Sequence, residues 1–212
     1  MSGMDADTFE QFHEQLQRYV RERLIPAEKD VIANDKIPAD IVDEMKDMGL
    51  FGLTVPEEYG GAGLSVTQYA RTVKTMAYAA PAFRSIFSIN VGMFNSAIKN
   101  GGTEAQKAEW WPRIAGGEIA CFGLTEPGSG SDSAAMQTTA KPDPDGNGWI
   151  LNGSKRYITN APHADVALIM ARTEKEALPK NAHVSAFIVP MDTPGMSTGS
   201  PDHKMGQAGS HV

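Results

Sequence analysis

The feature that most constrains this chain is a change of hydrophobic period near Gly117, from helical spacing before it to short strand-like runs after it. Phe9, Phe12, Leu16, Tyr19, Val20 and Leu24 recur every three or four residues, with Asp5 or Asp7 ahead of them as a cap. Pro26 is expected to disrupt the end of this first helix. Pro38 suits the first turn of a second helix, whose stripe is Ile41, Val42, Met45 and Met48. Gly49 is placed to close it in a left-handed conformation. The turn-rich stretch LFGLTVPEEYGGAGLS ends at Ser65, a cap for a third helix through Val66, Tyr69, Val73 and Met76. A fourth helical region, from about 83 to 99, is apolar on several faces, as a buried helix would be. Thr103 and Gln106 form a capping box that opens a short helix carrying Trp110 and Ile114 and closing at Gly116 and Gly117.

Beyond that point residues 119–125, 157–159, 166–171 and 184–189 read as strands, and Asp145-Gly146 and Asn152-Gly153 as hairpin dipeptides. The polar connection 173–183, with Pro179, reads as an exposed loop. The fold class expected is therefore α+β: an N-terminal α-helical domain over residues 1–117, then an incomplete antiparallel β-barrel-like middle domain over 118–212. The closing KMGQAGSHV does not read as the end of a domain.

Charge and composition narrow the function classes. With a formal net charge of −7 and scattered lysines and arginines, the chain offers no basic stripe for nucleic acid. Apolar runs such as 167–171 fall far short of the ~20 residues that a membrane span requires. The acidic start MSGMDADTFEQ lacks the basic and then apolar regions of a secretory signal. The single cysteine, Cys121, rules out an internal disulfide framework, reads as a small buried residue, and makes a cytoplasmic location the expectation. His13 is expected to face solvent, while His163, His183, His203 and His211 show no metal-ligand spacing, so no metal is implied.

The densest chemical signal is CFGLTEPGSGSD, residues 121–132. Its glycines and serines leave backbone N–H groups and small hydroxyls able to approach a phosphate or a polar ring edge. On composition alone, a tight strand-to-strand turn with serine caps accounts for it better than a ligand site does. The whole string TEPGSGSD, however, closely resembles the signature of the acyl-CoA dehydrogenase family. IPADIVDEMKDMGLFGLTVPEEYGGAGLS, GTEAQKAEWWPRIAGGEIACFGLTEPGSGSD and GWILNGSKRYITNA are similar to three further segments of that family, so the resemblance runs along nearly the entire chain.

The resemblance implies FAD as cofactor. It places Phe122, Gly123, Leu124 and Thr125 beside the isoalloxazine ring, and Gly130 and Ser131 toward the cofactor's phosphates and the bound CoA thioester. Tyr157 stands where many relatives have tryptophan, packed on the flavin, with Ile158 next to it and Thr159 near flavin N5. Ser131 and Asn181 match substrate-contacting positions. Read without the resemblance, Tyr157 is equally an ordinary cross-strand aromatic. Glu126 and Asp132 belong to the frame of the loop in that family, whose base for the α-proton lies in a C-terminal helical domain absent from these 212 residues, so no catalytic residue is assigned.

The activity implied is dehydrogenation of an acyl-CoA thioester to a trans-2-enoyl-CoA, this chain being the N-terminal part. Electrons would pass to an electron-transfer flavoprotein, and the protein would be a homo-oligomer, a homotetramer, assembled through C-terminal helices. A related flavin oxidase or monooxygenase, or a non-catalytic fragment binding CoA esters or flavin, stays open at this point. Ala208 stands where relatives often carry a basic residue.

Overall fold

The computed structural model describes residues 3–146, 148–173 and 183–212. Helix α1, Ala6–Tyr19, starts where Asp5 accepts a hydrogen bond from the Thr8 N–H, at 3.0 Å. Pro26 does not end it. The chain passes through a π-helical turn, Val20–Leu24, in which the Ile25 N–H reaches the Val20 carbonyl, and continues as α2, Ile25–Asn34. Proline falls in the first turn of α2, just after the ladder changes from five-residue to four-residue bonds, where a missing N–H costs least. Asp35, in a left-handed conformation, stops the helix.

Helix α3, Ala39–Asp47, has Pro38 at its cap and ends before Gly49, whose φ of 70° is the left-handed closure expected of it. Helix α4, Val66–Met76, opens on a reciprocal Ser65 and Gln68 capping box; it buries Thr72, Thr75 and Met76, while Val66 is exposed. The apolar region from 83 to 99 is α5, Pro81–Ser88, a second π-helical turn, Ile89–Phe94, and α6, Asn95–Gly101. Helix α7, Glu104–Ala115, has the Thr103 and Gln106 box at its start.

Among the described residues the sheet holds β1, Ala120–Gly123; β2, Thr139–Pro142; β3, Trp149–Asn152; β4, Val166–Arg172; and β5, Val184–Pro190. It is mixed where an antiparallel sheet was expected: β2 with β3 and β4 with β5 are antiparallel, but β1 and β2 both lie parallel to β4. The two lie end to end along one edge of β4, β1 against residues 166–169 and β2 starting at Arg172.

Two strand-region expectations fail. Residues 157–159 form no strand, because φ is +60° at Tyr157 and +72° at Asn160, which turns the chain twice. Asn152-Gly153 makes no hairpin; Gly153 is demanded by packing, since a Cβ there would lie 2.6 Å from the Thr138 Cα. Asp145-Gly146 does turn the β2–β3 hairpin, with the Gly146 N–H bonded to the Asp143 carbonyl at 2.9 Å. The 173–183 loop expectation falls largely outside the described residues.

One apolar core, around Phe9, Leu16, Leu24, Ile41, Met45, Phe51, Phe83 and Phe87, fills the helical half. A second joins the halves: Phe94, Ile98, Trp110, Trp111 and Ile114 pack with Ala120 of β1 and Val166 and Leu168 of β4. Buried amides fasten this junction. Asn90 donates to the Glu118 carbonyl at 2.5 Å and accepts from the Ala120 N–H at 2.8 Å, so a residue of the second π-helical turn fixes the start of β1. Asn95 accepts from the Trp111 indole N–H at 2.6 Å and donates to Thr54, which in turn donates to the Val91 carbonyl.

His13 is buried rather than solvent-facing. Its ring stacks on Phe9 at 5.6 Å, and Nε2 meets the Thr75 hydroxyl at 2.8 Å, because the flank of α1 that carries it lies against α4.

The loop 52–64 folds on itself, with backbone bonds from Ala62 to Gly52, Gly63 to Val55 and Leu64 to Leu53. A Cβ on Gly61 would lie 2.1 Å from the Val55 carbonyl oxygen, a backbone atom that cannot swing away. Gly61→Ala should therefore lower stability by about 1–3 kcal/mol, read as a fall in the urea midpoint at unchanged slope. An unchanged midpoint would refute this packing.

Candidate functional site

Leaving β1 after Gly123, the chain makes an excursion over residues 124–138 and rejoins the same edge of β4 at β2. A tight turn at Glu126 and Ser129, with paired backbone bonds of 2.9 and 3.1 Å, projects Pro127 and Gly128 outward. The Ser129 hydroxyl donates to the Asp132 carbonyl at 2.8 Å, and a 3-10 turn at Ser133–Ala135 brings the chain back.

What holds this excursion is a buried carboxylate. Glu126 accepts from the backbone N–H groups of Gln137 at 2.5 Å and Thr138 at 2.9 Å, and from the Thr138 hydroxyl at 2.5 Å. It also pairs with the Lys155 ammonium at 2.7 Å, with both side chains under a tenth exposed. Burial pushes its carboxyl up, but the Gln137, Lys155 and Thr138 donors outweigh burial and hold it at about 2. Such a group is an anchor, not a base. Gly123 belongs to the same construction, for a Cβ there would lie 2.7 Å from Ile169 Cδ1 and 3.2 Å from the Lys155 Cγ. Lys155 also donates to the Leu124 carbonyl at 3.2 Å.

The next residue completes the link: the Arg156 N–H donates to the Thr125 carbonyl at 2.8 Å. The end of the β1 segment and the segment bearing Tyr157 are thereby side by side. Phe122, Leu124 and Thr125 are half-buried, as are Ile158 and Thr159. Tyr157 is 59% exposed in a left-handed conformation, and the Arg156 guanidinium lies 4.7 Å from its ring centroid. Gly130 and Ser131 are exposed farther along the excursion, and Asn181 lies outside the described residues.

Two anchoring residues escaped the sequence reading, Lys155 and Asn160. Asn160 donates from its side chain to the Ile86 carbonyl at 2.8 Å and the Ala120 carbonyl at 3.2 Å, tying the chain just past Thr159 to both α5 and β1. The turn signal Asn-Ala-Pro at 160–162 marked a bend there, but nothing local announced these partners. His163 and His211, distant in sequence, meet at 2.6 Å. Among the described residues no three His, Cys, Asp or Glu side chains group as a metal site. Cys121 is buried, and burial pushes its thiol up to about 12.

With this geometry in hand, residues 6–118 match the model described as acyl-CoA dehydrogenase, N-terminal domain, and residues 121–212 match acyl-CoA dehydrogenase, middle domain. The human mitochondrial short-chain specific acyl-CoA dehydrogenase is 38% identical over 193 residues, 91% of this chain and 46% of its own length. A chain of the solved structure described as the electron transferring flavoprotein of Acidaminococcus fermentans matches at a TM-score of 0.89 and 32% identity, over 100% of this chain and 55% of that one. The glutaryl-CoA dehydrogenase of Mycobacterium smegmatis in complex with FADH2 matches at 0.85 and 33% identity, over 98% of this chain and 51% of that one. The chain thus spans about half the length of the curated relatives it matches.

Because the folded Glu126 carboxyl titrates at about 2 against an ordinary value of 4.5, its contribution is full above about pH 4.5 and is lost as pH falls toward 2. Glu126→Gln leaves the Lys155 ammonium buried without its counter-charge and should cost about 3–5 kcal/mol at neutral pH. In thermal melts across pH, the gap between the wild type and this variant should narrow steadily below pH 4.5. A gap constant down to pH 2 would contradict the ionised anchor.

Proposed function

The chain belongs to the acyl-CoA dehydrogenase family, and from that premise we propose that the protein carrying it is an FAD-dependent enzyme that oxidises an acyl-CoA thioester to a trans-2-enoyl-CoA. The observation that carries this reading is the conformation of Tyr157. A tyrosine at φ +60° is strained, the residue is 59% exposed, and the ring contact found for it among the described residues is the guanidinium of its own neighbour. Strain of this kind persists where a side chain is held out to meet a ligand, and a broad aromatic face suits a planar heterocycle. The glycines of the excursion agree with it. Neither Gly128 nor Gly130 is among the left-handed glycines, and a Cβ on either would meet nothing within 4 Å among the described residues. Their small size is unexplained by internal packing and suits close approach by a bound group.

Phe122, Gly123, Leu124, Thr125, Tyr157, Ile158 and Thr159 would hold the flavin ring system, and Gly130 and Ser131 the cofactor's phosphates. Ser131 would also meet the thioester, with Asn181 as a second substrate contact. FAD, when bound, supplies an acceptor for the hydrogen that leaves the substrate as hydride. The chain's own part is to position. The Glu126 and Lys155 pair fixes the excursion, the Thr125 and Arg156 backbone bond sets the spacing of the two flanking segments, and Asn160 restrains Thr159. The Thr159 hydroxyl would donate toward charge that develops beside it. Glu126, engaged by four donors, takes no proton from the substrate.

An electron-transferring flavoprotein as acceptor is part of the proposal, supported by the structural match to a chain of that assembly. Homotetrameric assembly rests on the family resemblance. A reducing, cytoplasmic setting rests on the single buried cysteine.

The test is an anaerobic titration of the FAD-loaded protein with a short-chain acyl-CoA. Loss of the flavin's visible absorbance, with formation of enoyl-CoA, is expected, and Tyr157→Ala should weaken FAD binding by about tenfold. Absorbance that stays constant, or oxygen uptake that matches turnover when air is admitted, would overturn the dehydrogenase reading.

A further inference from the structure

A cavity of about 90 Å³ lies where β2 departs from β4, lined among the described residues by Thr139, Ala140, Lys141, Arg172, Thr173 and His183. It has room for one small group and not for a nucleoside. Lysine, arginine and histidine make up half of this lining, in a chain whose formal charge is −7. The carboxylate ion pairs found among the described residues involve neither Lys141 nor Arg172. Thr139 and Arg172 are register partners, so both belong to one face of the sheet, and Lys141, two residues past Thr139, shares that face. An arginine fork, a lysine point charge and a threonine hydroxyl on one patch form the donor set that recognises phosphate.

The position of this patch is informative as well. The Arg172 guanidinium reaches the Ala134 carbonyl at 3.5 Å, which sets it against the return limb of the excursion that bears Ser131. The cavity is therefore next to the loop assigned above to cofactor and thioester, yet it shares no residue with that assignment.

We propose that this cavity binds a phosphate monoester or free phosphate through Lys141 and Arg172, the two sources being the terminal phosphate of a CoA substrate and inorganic phosphate. The CoA source rests on the dehydrogenase reading; the phosphate chemistry stands apart from it.

Calorimetric titration of the FAD-loaded protein with CoA, 3′-dephospho-CoA and inorganic phosphate tests this in the wild type, Arg172→Gln and Lys141→Gln. Ligand-free melts and circular dichroism establish that each variant is folded, and if one is not, the other decides. With CoA as the source, the wild type binds CoA about tenfold more tightly than 3′-dephospho-CoA, and the ratio falls close to one in the variants. With inorganic phosphate as the source, the two nucleotides bind alike, and phosphate binding is lost in the variants. The proposal is overturned if the wild type shows neither preference for the extra phosphate nor phosphate binding, or if both folded variants bind all three probes as the wild type does. Arg172-dependent phosphate binding in a protein with no affinity for any CoA form would keep the cavity assignment and sink the dehydrogenase reading.

Discussion

A carboxylate and an ammonium held 2.7 Å apart, both under a tenth exposed, are the contact on which the rest of this structure's chemistry depends. Removing two charges from water is costly, and the cost is offset here only because Glu126 collects three further donors and Lys155 a backbone carbonyl. The result is a crosslink between chain regions about thirty residues apart, with the glycine-rich turn on one side and the left-handed tyrosine on the other. A hydrophobic plug could fill the same volume, but it could not fix direction. Each of the four donors approaches the carboxylate along its own line, so the loop has one register and not several.

The same economy of buried polar groups governs the boundary between helices and sheet. Asn90, Asn95 and Asn160 each use a side-chain amide to reach main-chain or side-chain partners in another element. They sit within or beside two irregular segments, the second π-helical turn and the left-handed turn after Thr159. An amide carries donor and acceptor together, so one residue can satisfy both kinds of backbone group that an irregular segment leaves open. Apolar packing through Trp110, Trp111 and Val166 supplies the contact area, and the amides set the alignment.

Local signals were legible and distant ones were not. Asp5, Ser65 and Thr103 cap helices, and Gly49 closes one, because each acts on backbone within three or four residues of itself. Pro26 was misread because its tolerance depends on a register slip in the preceding turn, which no residue type announces. Gly153 was misread because the reason for glycine is Thr138, fifteen positions earlier at the end of the excursion. The parallel placement of β1 and β2 on β4 was hidden for the same cause, since strand direction is a property of long-range pairing. At the candidate site, the segments 122–125 and 157–159 could be read from their motifs. The Lys155 ion pair that brings them together could not, because pairing across 29 positions in the sequence exists only in three dimensions.

The end-to-end arrangement of β1 and β2 on β4 carries one more consequence. Fifteen residues, 124–138, depart and return along a sheet edge where only Met170 and Ala171 lie between the two attachment points. The detour is clamped at its neck, so its outer arc can change length or composition without disturbing strand alignment. A scaffold built this way separates what must stay constant from what can diversify: related enzymes could reshape the arc around Gly130 and Ser131 to suit different substrates while inheriting the same sheet.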